Sequence, residues 1–325
     1  MKANFTKELS MNAINDISKP YVIFSCIGPV ENARVHTSLK NFSKYCVPIV
    51  ITSRKFSQIW ASEKIQVFQT KYNSVARYKV ISRSIFLRSR FLSLGWVKLT
   101  QNKALKRFSY FWMQPHTARH FEALRLLSTL NKDEWAYLVG SRDVVFQISP
   151  SIISAKLIQS SELHFFDEGG LYFKDGLEQI TKNSRANLAW ASQLVNGDKE
   201  IVSQIYNEVI INADCIFGRI RDLEKFLQES CSLLSKSEHS SYALLDQAST
   251  NIVGYRFIRS GMAQLHKNGE VVLNMCGVIE ESVQLENGIL MLDTKPIPIV
   301  HQFDRYGSWH VESGLDFHKR EYKVQ

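Results

Sequence analysis

The chain has 325 residues, 45% hydrophobic and 11% aromatic, with 15 Gly, 7 Pro and no low-complexity tract. That composition supplies a sizeable core and excludes a collagen-like, linker-rich or disordered protein. Lys and Arg number 40 against 31 Asp and Glu, a formal charge of +9, and the five cysteines, Cys26, Cys46, Cys215, Cys231 and Cys276, show no C-x-x-C spacing, which argues against a disulfide framework or zinc knuckle and for a reducing, cytoplasmic setting.

The first twenty residues lack the apolar region of a signal peptide, and no later stretch approaches the roughly 18 apolar residues of a membrane span. Residues 21 to 27, YVIFSCI, read as a buried strand ending in the Gly28-Pro29 turn. A helix is expected to about Tyr45, then a strand over 47 to 53 and a third over 66 to 70. This alternation predicts an α/β fold with a mostly parallel central sheet flanked by helices.

Residues 71 to 117 form a basic and aromatic insertion. No acid occurs between Glu63 and Glu122, while Lys71, Arg77, Arg83, Arg88, Arg90 and Arg107 alternate with Phe86, Phe91, Trp96, Phe108 and Trp112. Such a face attracts anionic lipid head groups, a polyanionic glycolipid or nucleic acid, and a plain solvated basic surface explains it equally.

From Thr117 the pattern sharpens. Phe121, Leu124, Leu127 and Leu130 recur at helical spacing, and residues 136 to 140, AYLVG, read as a central strand leading to Ser141-Arg142-Asp143. Further strands are expected over 162 to 166, 213 to 218, 270 to 275, 288 to 292 and 297 to 302, with helices near 184 to 210, 220 to 236 and 241 to 253.

An acid just past a central strand lies at the carboxyl edge of the sheet, where open α/β sheets bind ligands. Asp143 occupies that place; its oxygens suit Mg²⁺ or Mn²⁺ bridging a diphosphate, and Arg142 beside it suits a phosphate. A turn aspartate that merely caps the next segment is the alternative. Asp167-Glu168-Gly169-Gly170, after the strand at 162 to 166, offers two adjacent carboxylates on a turn, or a plain loop.

The run from Ala118 to Pro150 resembles a segment of GT-A-like bacterial glycosyltransferases of the nucleotide-diphospho-sugar transferase superfamily. In that family a helix and strand deliver an Asp-Ser-Arg-Asp-Val-x-Phe-Gln motif, a DxD-type site for metal and nucleotide sugar. Ser141, Arg142, Asp143, Val144, Phe146 and Gln147 match, whereas Gly140 stands where the first acid is expected. The resemblance continues, in order, through Asn212-Ala213-Asp214-Cys215-Ile216-Phe217-Gly218, through Leu245-Asp246-Gln247-Ala248, and through Val300-His301-Gln302-Phe303-Asp304-Arg305.

The resemblance implies one GT-A-like domain over 1 to 325, with a C-terminal strand and tail over 296 to 325. It implies transfer of a sugar from a nucleotide-activated donor to a glycan or lipid-linked saccharide in cell-surface polysaccharide assembly, capsule or lipopolysaccharide, by a hexosyl- or pentosyltransferase. The protein would be cytoplasmic and peripheral on the inner face of the membrane, with no nucleic-acid partner. A divalent metal, Mn²⁺ or Mg²⁺, is implied with Asp143 and His301 as ligands; Cys26, Gly28, Ser141, Arg142, Asp143 and Gln247 fall on the donor side, and Asn212 and Asp304 on the acceptor side. Asp246 is the first candidate for the base that takes the acceptor proton and Glu168 the second. Each has a structural alternative: His301 as a core histidine, Asp246 as a helix aspartate bonded locally, Asp304-Arg305 as an internal ion pair. Two rival functions stand beside this one, a glycoside hydrolase with paired carboxylates such as Asp143 with Glu168 or Asp246, and a non-catalytic sugar-nucleotide-binding protein, for which the missing acid at Gly140 argues.

Overall fold

The computed structural model describes residues 19–26, 34–63, 65–70, 115–169, 185–237, 244–275, 278 and 282–302. Gly28, Asp304, most of the basic insertion and the tail beyond Gln302 lie outside them.

A central sheet of seven described strands organises the chain, in the order β3-β2-β1-β4-β7-β6-β8. These are β1 (Tyr21–Ser25), β2 (Val47–Thr52), β3 (Gln66–Gln69), β4 (Trp135–Val139), β6 (Leu163–Asp167), β7 (Ile211–Arg219) and β8 (Gln264–His266). Pairing is parallel except at β7, which runs antiparallel to both β4 and β6. The fold is therefore α/β with a mostly parallel sheet, as the alternating pattern predicts. Strands buried on both faces carry near-continuous apolar runs, which is how YVIFS and WAYLV read.

Helices α1 (Arg34–Lys40), α2 (Arg54–Ser62) and α4 (Pro150–Leu157) contribute to the core on one face, around Trp60, Phe24, Tyr137 and Phe217. The other face is covered by α3 (Pro115–Leu127), α5 (Arg185–Leu194), the short α6 (Lys199–Ser203), α7 (Ile220–Lys236) and α8 (Leu245–Arg259), around Phe165, Phe226, Leu227 and Ile252. The helix expected over 184 to 210 is two helices, because Asn196 and Gly197 adopt positive φ and Asp198 caps the second by accepting from Glu200 N–H and Ile201 N–H.

Two small sheets flank the carboxyl edge. One joins β5 (Val144–Phe146), β13 (Ile299–His301) and β9 (Val272–Asn274); the other is a meander of β10 (Val283–Glu286), β11 (Ile289–Leu292) and β12 (Lys295–Pro296). The register places His301 opposite both Val144 and Asn274, so residues remote in sequence meet beside the turn after β4.

Candidate functional site

The parallel register of β1, β2 and β4 ends all three strands at one edge, and β6 ends there too. Because β7 runs the other way, its beginning arrives at that same edge. There β7 is irregular: pairing with β6 jumps from Phe165 opposite Ile216 to Asp167 opposite Ile211. A bulge re-aims the side chains of the bulged strand, and this one carries Asn212, Ala213 and Asp214. The freed backbone is satisfied from α8. Asn251 Oδ1 accepts from Ile211 N–H at 2.8 Å, Gln247 Oε1 accepts from Ala213 N–H at 3.1 Å, and Gln247 Nε2 donates to Ile211 O at 2.6 Å.

Asp143, Asp214 and His301 converge here, each offering a ligand atom within 4.8 Å of the others. His301 Nε2 lies 3.6 Å from Asp143 Oδ1 and 3.5 Å from Asp214 Oδ2. His301 is fully buried, and Nε2 has no hydrogen-bond partner among the described residues. Two carboxylate oxygens and one imidazole nitrogen, all within 4.8 Å of one another, are close enough to share a divalent ion, and the mixed O/N set suits Mn²⁺. The unpartnered buried nitrogen aimed between two acids is the observation that makes these residues fit such an ion.

Each donor is backed by a second group, as ligating side chains generally are. Arg142 Nη2 is 3.4 Å from Asp143 Oδ2, and the Arg142 side chain is 63% exposed. Arg119, on α3, bonds Asp214 Oδ1 through Nη1 and lies 2.6 Å from Asp246 Oδ2 through Nη2. Burial works to raise the Asp214 carboxyl, but Arg119 and His301 outweigh it and hold the group well below the usual carboxylate range. Burial likewise works to lower the His301 imidazole, and Asp214, Asp143 and Glu168 outweigh it and raise it. Asn274 Oδ1 accepts from His301 Nδ1–H at 2.5 Å.

The structure brings His301, on β13, beside the turn that carries Ser141, Arg142 and Asp143. Ser141 O accepts from Val35 N–H at the start of α1. Glu168 follows β6 directly, half-buried, its N–H donating to Ile210 O, and close enough to act electrostatically on His301.

Four expected roles meet a different geometry. Asn212, expected on the acceptor side, is fully buried, its amide spent on Asn274 Oδ1 and its carbonyl on Asp214 N–H. Gln247, expected at the donor, spends both amide atoms on the β7 backbone. Asp246, the first candidate base, is 1% exposed and faces the Arg119 guanidinium. Cys26 is buried at the end of β1, and its N–H continues the sheet by donating to Ile51 O at 3.0 Å, so that amide does not point at a base.

Three participants escaped the sequence reading. Asp214 stands inside a quoted block but carries no assigned role; an acid within the apolar run IIN-A-D-CIF is its only sequence signal. Arg119 and Asn274 have weaker ones, one of two arginines on an amphipathic helix and an amide ending a short strand.

No family model matches the chain, and no curated protein matches it. Among solved structures, core-mannan synthase A from Aspergillus fumigatus, in its Mn/GDP form, is similar at 10% identity and a TM-score of 0.42, over 77% of this chain and 73% of that one. Among the described residues no helix is long and apolar enough to cross a membrane.

Proposed function

We propose that the chain is a metal-dependent glycosyltransferase of GT-A-like architecture, moving a sugar from a nucleotide diphosphate donor to a hydroxyl of a glycan or lipid-linked saccharide. One observation carries this reading: Asp143, Asp214 and the unpartnered Nε2 of His301 converge at the carboxyl edge of a mostly parallel sheet. Asp143, Asp214 and His301 would hold the ion. When bound, Mn²⁺ or Mg²⁺ neutralises negative charge growing on a departing diphosphate.

The chain's own residues divide the remaining work. Arg142, exposed beside Asp143, supplies a guanidinium to the diphosphate oxygens. Transfer breaks the bond from the anomeric carbon to the diphosphate oxygen and forms one to the acceptor oxygen, whose proton must go to a base. Glu168 stands better for that task than Asp246, because it sits at the rim after β6 while Asp246 is committed to Arg119. Asp246 then acts through Arg119, holding the guanidinium that fixes Asp214.

Thermal melting against a panel of nucleoside diphosphates, with and without Mn²⁺, tests this reading, followed by release of nucleoside diphosphate from matching nucleotide sugars. Selective stabilisation that needs Mn²⁺ and is lost in Asp143→Asn and His301→Ala supports it. A flat panel, or glycoside cleavage that needs no nucleotide and ignores chelators, overturns it in favour of a paired-carboxylate hydrolase.

A further inference from the structure

The ring of His301 is held from behind by the side-chain amide of Asn274. Asn274 ends β9 directly opposite His301 on β13. Its backbone is pinned by Asn268, whose Oδ1 accepts from Asn274 N–H at 2.7 Å and whose Nδ2 donates to Asn274 O at 3.2 Å. Its side chain is equally determined. Asn274 Nδ2 donates to Asp167 O at 2.6 Å, which turns Oδ1 towards the histidine. Asn212 has its own orientation fixed, because Oδ1 accepts from Asp214 N–H at 2.6 Å, and its Nδ2 therefore donates to Asn274 Oδ1, also at 2.6 Å.

An amide oxygen 2.5 Å from His301 Nδ1 requires a proton between them. Asn212 Nδ2, 3.0 Å from Nδ1, then stands beside the ring without bonding it. With Nδ1 carrying the proton, the lone pair of the neutral ring falls on Nε2, the atom that faces Asp143 and Asp214. The ring is also barred from turning over, since a flip would put a carbon against the Asn274 oxygen.

We infer that Asn274 is a positioning residue for a divalent cation: it fixes the tautomer and the orientation of His301 so that Nε2 meets the ion bound by Asp143 and Asp214. This rests on the metal-centre reading above and adds a residue to it. The chemistry is that of an outer-sphere oxygen on a ligating imidazole, whose removal commonly weakens metal affinity about 10- to 100-fold.

Two substitutions separate orientation from mere packing. Asn274→Leu keeps the branched four-atom shape and removes the acceptor. Asn274→Asp keeps an acceptor for Nδ1–H but loses the donor to Asp167 O, so as a packing change it is as disruptive as leucine. Titration of the full chain with Mn²⁺ by calorimetry, and the visible spectrum of the Co²⁺-loaded protein, supply readouts independent of turnover. The expected result is a Kd for Mn²⁺ raised at least tenfold in Asn274→Leu with an altered Co²⁺ spectrum, and a Kd within about threefold of wild type in Asn274→Asp with the spectrum retained. Should the leucine variant fail to fold, the aspartate variant decides alone, since a tenfold loss there overturns the inference. If wild type binds Mn²⁺, His301→Ala does not, and Asn274→Leu binds like wild type, Asn274 has no positioning role while the metal centre stands. If wild type itself binds no Mn²⁺, the metal centre is wrong and the inference falls with it.

Discussion

Asp214 occupies the space that a side chain at Gly140 would need. A Cβ placed on Gly140 meets Asp214 Oδ1 at 3.1 Å, Cγ at 3.2 Å and Cβ at 3.3 Å, while the Gly140 N–H donates to Asp214 O at 2.8 Å. Any side chain at position 140 would therefore have to displace Asp214 by a few tenths of an ångström.

Gly140→Asp should therefore weaken the centre. Arg119 holds the Asp214 carboxylate from the far side, so the neighbour cannot give way freely, and a second anion would crowd it. The expected outcome is a loss of about 1–3 kcal/mol in stability together with weaker Mn²⁺ binding, read by denaturant melts and metal titration. Tighter Mn²⁺ binding in Gly140→Asp would show that the two acids act together and not in exclusion.

Arg119 is the second lever, because it is shared by a rim acid and a deeply buried one. Its side chain is 16% exposed and that of Asp246 1%. Removing the cation leaves an uncompensated buried carboxylate, which costs about 3–5 kcal/mol. Arg119→Met should therefore be strongly destabilised in urea melts, and Arg119→Met with Asp246→Asn should recover part of that loss. Strict additivity, with Asp246→Asn changing stability by the same amount in wild type and in Arg119→Met, would show that the two side chains are not energetically coupled.

The two halves of the centre were unequally legible in the sequence. Asp143 follows an apolar strand whose period and length announce it, so strand, edge and acid all come from local pattern. His301 sits on a three-residue strand whose neighbours, β5 and β9, are distant in sequence; only the order of blocks along the chain hinted at it. Asp214 was hidden because its aim depends on a register jump against β6, and pairing register is not written in either strand alone. Helix α4 is illegible for a related reason: PSIISAKL has a buried polar side, with Ser151 and Ser154 inside, which blurs the helical period. Gln247 spends its amide on the β7 backbone and Asn212 divides its own between Asp214 N–H and the Asn274 side chain; neither is visible in the sequence, since an amide looks the same there whichever partner it finds.

Acid should loosen the fold through the edge of the sheet. His164 is fully buried, with Nε2 donating to Ser161 O and Nδ1 accepting from His266 Nε2, each at 2.9 Å. Burial, then the neighbouring His266, push its pKa down to about 4 from 6.5. A histidine depressed in the folded state binds its proton more readily when unfolded, so its stabilisation is complete above about pH 6.5 and drains away as pH falls towards 4. The shift corresponds to about 3 kcal/mol at most. Urea melts between pH 7 and pH 4 should show that slope in wild type and a shallower one in His164→Asn. Parallel slopes would mean that His164 is not the group being titrated.

Gln147 closes the account of the Ser141-Arg142-Asp143 turn, since it ends the same motif but points away from the centre. Its Oε1 accepts from Leu290 N–H at 2.8 Å, and its Nε2 donates to Ile297 O at 2.7 Å and to Leu290 O at 3.2 Å. One side chain thus replaces a missing strand neighbour for the β10–β12 meander, whose apolar residues Val283, Leu290 and Ile297 pack on Val145 and Val300. Val300 precedes His301, so loosening this meander loosens the strand that carries the ring. Gln147→Ala leaves the Leu290 and Ile297 groups without their partner at a cost of about 1–3 kcal/mol. Hydrogen exchange should show lost protection confined to residues 283–301, with β1, β2 and β4 unchanged and Mn²⁺ affinity reduced. Uniform loss across the central sheet would place Gln147 in the global core and not in a local clamp.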